Sequence, residues 1–102
     1  MPFVIRRVFA ARVGKADQLI EHFKGQMAEI EKQGIKARIL SDHWTGRSDR
    51  VAVEWEVNEL ADLEKGMAAT MATPAGQESF KSWEAKMNEM IHYSEAETWS
   101  VR

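Results

Sequence analysis

The stretch Ile35-Lys36-Ala37-Arg38-Ile39-Leu40-Ser41-Asp42-His43-Trp44-Thr45-Gly46-Arg47-Ser48-Asp49-Arg50-Val51-Ala52-Val53-Glu54-Trp55-Glu56-Val57 holds two strand patterns separated by turn residues. In its second half Val51, Val53, Trp55 and Val57 alternate with Arg50, Ala52, Glu54 and Glu56, the period of a strand with one buried face. Thr45-Gly46-Arg47-Ser48-Asp49, rich in Gly, Ser and Asp, marks the turn of a β-hairpin.

Upstream, Pro2 to Val13 is β-branched and aromatic, apolar on both sides and studded with Arg6, Arg7 and Arg12. Such a strand is expected at the centre of a sheet. Gly14 ends it, and from Lys15 to Gln33 the residues Ala16, Leu19, Ile20, Phe23, Met27 and Ile30 form one helical stripe, with Gly34 as a left-handed stop. Gly25 interrupts this helix, at a cost of roughly 1 kcal/mol against alanine unless something packs closely there.

Downstream of the hairpin, Asn58 is placed to cap a helix running from Glu59 to about Met71. Thr73-Pro74 starts a second one that carries Phe80, Trp83, Met87, Met90 and Ile91 on one face. The tail from His92 to Val101 reads as a fourth strand.

The order predicts an α+β, ferredoxin-like β-α-β-β-α-β unit spanning residues 1–102 as a single domain, with a four-stranded antiparallel-type sheet and the helices on one face. The first strand should lie between the third and the fourth. Charge agrees, since its arginines would face Glu54 and Glu56 on one side and Glu95 and Glu97 on the other. Helices on one face leave the other bare, and a two-fold homodimer packing sheet against sheet would cover it.

Composition narrows the function. The chain of 102 residues is 44% apolar and 29% charged, with a formal net charge of −2, which gives nucleic acid or an anionic membrane no electrostatic reason to bind. No cysteine is present, which excludes disulfides, thiolate nucleophiles and cysteine-ligated metals. Apolar runs are short and Arg6-Arg7 follows the start closely, so a cytoplasmic, unanchored protein is expected. Histidines lack metal-ligand spacing, and the glycines are scattered singly rather than gathered in a phosphate loop.

Several patterns belong together: Val13-Gly14-Lys15 followed by Leu19, Ile20 and Phe23; the passage from Glu54 through Asn58 and Leu60 to Glu64; and Pro74 with Phe80 and Trp83. In these the chain resembles the dimeric α+β barrel superfamily, in particular its NIPSNAP-like and antibiotic biosynthesis monooxygenase-like members. The resemblance implies a homodimer and a pocket between sheet and helices, lined by Arg7, Trp55, Met67, Met71, Phe80, Trp83 and Met87. It implies a small apolar or aromatic ligand and, for an enzyme, oxygenation of an aromatic or quinonoid compound with no cofactor. Arg7 would then hold a carboxylate, enolate or phenolate, with Trp55 or Trp83 stacked on the substrate.

Haem-degrading relatives carry an asparagine where this chain has Arg7, and a histidine in a helical region where this chain has none between His43 and His92. Both departures count against haem chemistry. Blander roles stand beside each candidate. The methionines and Phe80 fit an ordinary core, Arg7 fits a cross-strand salt bridge to Glu54, Glu56, Glu95 or Glu97, and the whole fits a non-catalytic dimeric scaffold. His43, a secondary candidate for a general base, fits the surface equally, because its neighbour Asp42 would point to the opposite face of the strand.

Overall fold

In the computed structural model, which describes residues 2–42 and 49–102, the predicted order of elements is present. Strand β1 (Phe3–Ala11) leads to helix α1 (Ala16–Lys32), strands β2 (Lys36–Ser41) and β3 (Arg50–Val57), helices α2 (Ala61–Met71) and α3 (Pro74–Met90), and strand β4 (Ile91–Ser100). The sheet order is β2-β3-β1-β4 and every neighbouring pair is antiparallel, so the apolar first strand is central as its composition requires.

Alternation along the strands divides the sheet into two unlike faces. Ile5, Phe9, Val51, Val53 and Val57 turn to one side and are buried beneath the helices. From α1, Leu19, Phe23 and Met27 descend onto them at four-residue spacing, and the rings of Phe9 and Phe23 meet at 4.7 Å between centroids. Met87 and Met90 of α3 and Ile91 of β4 complete the core. Each fully buried large side chain here contributes about 2 kcal/mol of transfer free energy.

The opposite face has no helix, and the strand registers arrange it in rows. Lys36, Glu56, Val4 and Trp99 form the first row; Arg38, Glu54, Arg6 and Glu97 the second; Leu40, Ala52, Val8 and Glu95 the third. Arg50, Ala10 and Tyr93 continue below them.

Local chemistry sets the ends of the elements. Gly34 adopts φ +79° directly after α1, the left-handed stop that its sequence position suggests. Thr73 Oγ1 accepts the amide of Gly76 with proline at the first helical position, so α3 begins as read. Helix α2 does not begin as read. Asn58 does not cap it; the helix starts at Ala61, and the Asp62 carboxylate accepts the Glu59 amide at 3.2 Å. The Asp62 carboxylate thus holds the segment that leads into the helix, and no side chain caps the helix itself. The first strand also stops short of Val13, which is 89% exposed, because the Arg12 amide donates to the Met90 carbonyl and the chain turns at Gly14. No helix among the described residues is long and apolar enough to cross a membrane.

Candidate functional site

Arg7 shares a face with Ile5 and Phe9, the one the helices cover. Its Nη2 donates to Ser94 Oγ at 3.1 Å, and its guanidinium lies 5.0 Å from the centroid of the Phe9 ring. The salt bridge expected from the sequence is therefore not made: Glu54, Glu56, Glu95 and Glu97 project from the other face of the sheet. Period-2 geometry separates Arg6 from Arg7, and only Arg6 meets a glutamate. Ser94 was not singled out in the sequence; the signal for it is the register that sets Phe9 opposite Ser94.

From Arg7 a continuous aromatic row crosses three elements. Phe9 touches Phe23, Phe23 lies 5.7 Å from Trp83, and Trp83 stacks with Phe80 at 6.3 Å. Trp83 is locked to α1 by three contacts with His22. The imidazole of His22 stacks on it at 4.8 Å with 14° between planes; His22 Nε2 donates to the Trp83 carbonyl at 2.8 Å, and Trp83 Nε1 donates to the His22 carbonyl at 3.4 Å. The pair fixes α3 on α1 and so fixes the far end of the row.

The other candidates are distributed. Trp55 is half-buried on β3, packed against the core, and its Nε1 is a buried donor with no partner. Met87 is a core residue, whereas Met67 and Met71 are 49% and 38% exposed on α2, a helix with no buried residue. The structure thus connects Arg7, Trp83 and Phe80 through shared ring contacts, and places Met67 and Met71 on the surface. His43 lies outside the described residues.

Two clefts adjoin these groups. One, of about 650 Å³, is lined by Trp55, Ile35, Ala37, Lys36 and Arg38 among others. The second, of about 660 Å³, lies along α1 and α3 and is lined by His22, Gly25, Trp83 and Lys86. Neither is lined by Arg7. Among the described residues no group of three or more His, Asp or Glu could hold a metal ion.

On the helix-free face, Glu54 is only 5% exposed and takes two arginines at once. Arg6 Nε donates to Oε2 at 2.6 Å and Arg38 Nε to Oε1 at 2.9 Å. Burial pushes this carboxyl up, but the hydrogen bonds and charges of Arg38 and Arg6 outweigh it and hold the group below the ordinary carboxylate range. Below it on the sheet, Arg50 Nε donates to Asp42 Oδ2 at 2.6 Å.

No protein-family model matches the sequence, and no curated protein matches it. Solved structures do. A NIPSNAP family protein from Agrobacterium tumefaciens is similar over 100% of this chain and 94% of its own, at 15% identity and a TM-score of 0.77. An uncharacterized NIPSNAP domain protein from Burkholderia xenovorans is similar over 98% and 94%, at 14% identity and a TM-score of 0.75. SnoaB from Streptomyces nogalater, a cofactor-independent oxygenase, is similar over 99% and 93%, at 12% identity and a TM-score of 0.73. At these identities the likeness speaks for architecture, and by it the chain has the ferredoxin-like α+β fold shared by NIPSNAP and antibiotic biosynthesis monooxygenase-like proteins.

Proposed function

We propose that this chain is a cytoplasmic, homodimeric small-molecule-binding protein whose ligand is an aromatic or quinonoid anion held by Arg7. The observation that carries this reading is the placement of Arg7: a guanidinium anchored by a neutral serine, with no salt bridge to a carboxylate among the described residues, at one end of the row Phe9, Phe23, Trp83 and Phe80. A cation beside apolar rings suits a ligand that is flat, mostly carbon and negatively charged at one edge. The likeness in fold to SnoaB supports cofactor-independent oxygenation as the reaction. For a substrate whose ring carries an acidic methylene, the balanced step turns that methylene into a carbonyl; O2 supplies one atom to the product and leaves the other as water, and the substrate provides the electrons. Arg7 would stabilise the carbanion or phenolate that reacts with O2.

The test is oxygen consumption over a panel of hydroxyquinones and related phenols, with anthrones as the members that carry a ring methylene. Turnover of one class, reduced about 100-fold by Arg7→Ala with the fold intact by circular dichroism, is the expected result. Equal rates for Arg7→Ala would remove the role of Arg7, and no consumption across the panel would remove the oxygenase reading.

A second reading, a non-catalytic dimeric scaffold, is favoured by one observation: Met87 is buried in the core and neither described cleft reaches Arg7. Under it, tryptophan fluorescence is not quenched by any member of the panel, and Arg7→Ala leaves the assembly unchanged.

A further inference from the structure

Helix α2 carries an apolar stripe that it does not turn toward the rest of the chain. Leu60, Leu63, Met67 and Met71 fall at spacings of three, four and four, on one side of the helix. Of these only Leu63 is half-buried, while Leu60, Met67 and Met71 are exposed. The half-buried positions of α2 are Asp62, Leu63 and Gly66, which mark its inward side. At roughly 100° per residue, the centre of that side and the centre of the stripe stand about a quarter-turn apart.

The contacts that keep α2 in this orientation are slight along its length and firm at one end. At the corner with α3, Gln77 Nε2 donates to the Met71 carbonyl at 2.9 Å, and Gly76 packs against the Thr70 carbonyl. Phe80, the far end of the aromatic row that starts at Arg7, follows Gln77 by one turn of α3. At the other end Val57 is buried, and the residues from Asn58 to Leu60 link it to the helix with no side-chain cap. Midway, the exposed side chain of Gln33, at the end of α1, lies against Gly66, where a Cβ would stand 3.5 Å from Gln33 Cδ. Water can replace a glutamine amide on a glycine at little cost. Helices α1 and α3, by contrast, are tied to each other through His22 and Trp83.

We infer that α2 is a lid, rolling about its own axis by about a quarter-turn when a ligand is held at Arg7, so that Leu60, Met67 and Met71 close on it. The inference rests on the reading that Arg7 holds an aromatic anion and adds how that site opens and shuts. Neither described cleft is lined by Arg7, so a ligand reaches it through the movement of an element, and α2 is loosely held beside Phe80. The flat apolar ligand supplies the surface that the stripe lacks in the free protein, and the unbranched methionines adapt to its outline. In the roll Gly66 leaves Gln33, and the residues linking α2 to Val57 and to Thr73 take up the change in backbone angles.

The chain has no cysteine of its own, so the roll can be blocked at will. In Gln33→Cys/Gly66→Cys the two thiols are bridged with the short reducible reagent methanediyl bismethanethiosulfonate, which pins the inward side of α2 to α1. The probe is alizarin sulfonate, a flat hydroxyquinone anion, and its Kd is read from the quenching of tryptophan fluorescence. The bridged protein is expected to bind at least tenfold more weakly than the same sample after reduction, a comparison that folding defects do not affect. Equal affinity before and after reduction overturns the lid. Met67→Ser/Met71→Ser alters side chains that are exposed in the free protein, and it too should raise the Kd about tenfold. If it instead changes the assembly mass by native mass spectrometry and leaves the Kd alone, another copy covers the stripe and the lid is overturned. Arg7→Ala in the same assay tests the reading beneath: a lost affinity there with an indifferent bridge removes the lid alone. Wild-type affinity in Arg7→Ala, or no binding by wild type, overturns that reading and the lid with it.

Discussion

Glu54 is a carboxylate removed from water and held by two guanidiniums. Its carboxyl is depressed in the folded state, so its contribution to stability is present above the ordinary carboxylate range and is lost as pH falls through the folded-state value. Glu54→Gln should therefore flatten the acid side of the stability profile. Urea midpoints measured between about pH 3 and pH 7 would show wild type losing stability faster than the variant. At neutral pH the variant should be weaker by about 1 kcal/mol, a figure kept low because both arginines are partly exposed. Parallel profiles would mean that the pair of arginines does not discriminate the charged from the neutral carboxyl. At this scale the sequence was half legible. The opposition of arginine and glutamate on neighbouring strands could be read from the pattern, but which of Arg6 and Arg7 met Glu54 could not, since a shift of one residue exchanges the two faces and only the helices settle which face is covered. The partner that Arg7 does take, Ser94, sits on a strand distant in sequence and depends on register alone.

Among the elements, α1 was the most legible, because Leu19, Phe23 and Met27 repeat at helical spacing and all three are buried. It also carries an avoidable weakness. Gly25 lies in its interior, and apart from the helix's own backbone no described residue comes within 4 Å of where a side chain would begin. Nothing packs closely enough to require glycine, so Gly25→Ala should stabilise the protein by about 0.5–1 kcal/mol and raise the melting temperature by roughly 4 °C, as followed by circular dichroism. A loss of stability would show that the cleft along α1 and α3, which Gly25 lines, is occupied or closed in solution. Gly76 is the opposite case. A side chain there would strike the Thr70 backbone carbonyl, so the corner between α2 and α3 depends on glycine. Helix α2 was the least legible element. Met67 and Met71 fit a pocket lining or an ordinary core in the sequence, yet both are exposed in the structure. Composition alone does not distinguish a helix packed on its own sheet from one whose apolar residues await a ligand or a second chain.

For the molecule as a whole, topology was legible because each inference constrained the next: an apolar first strand must be central, a hairpin fixes β2 beside β3, and the last strand can then only complete the other side. The faces were not assignable until the helices were in place. The apolar area left uncovered, with Leu40, Tyr93 and Trp99 exposed among charges, predicts that stability is shared between copies. The melting temperature should rise with protein concentration across the dissociation range, and differential scanning calorimetry at two concentrations checks it. A melting temperature independent of concentration, with a monomer by mass, would contradict the homodimer.

The amide of Val101 donates to the carbonyl of Pro2 at 3.0 Å, carrying the pairing of β1 with β4 one residue beyond Phe3. During synthesis the central strand is thus made first and flanked last. Until the ribosome has released the residues of β4, one long edge of β1 stands open to any other extended chain nearby.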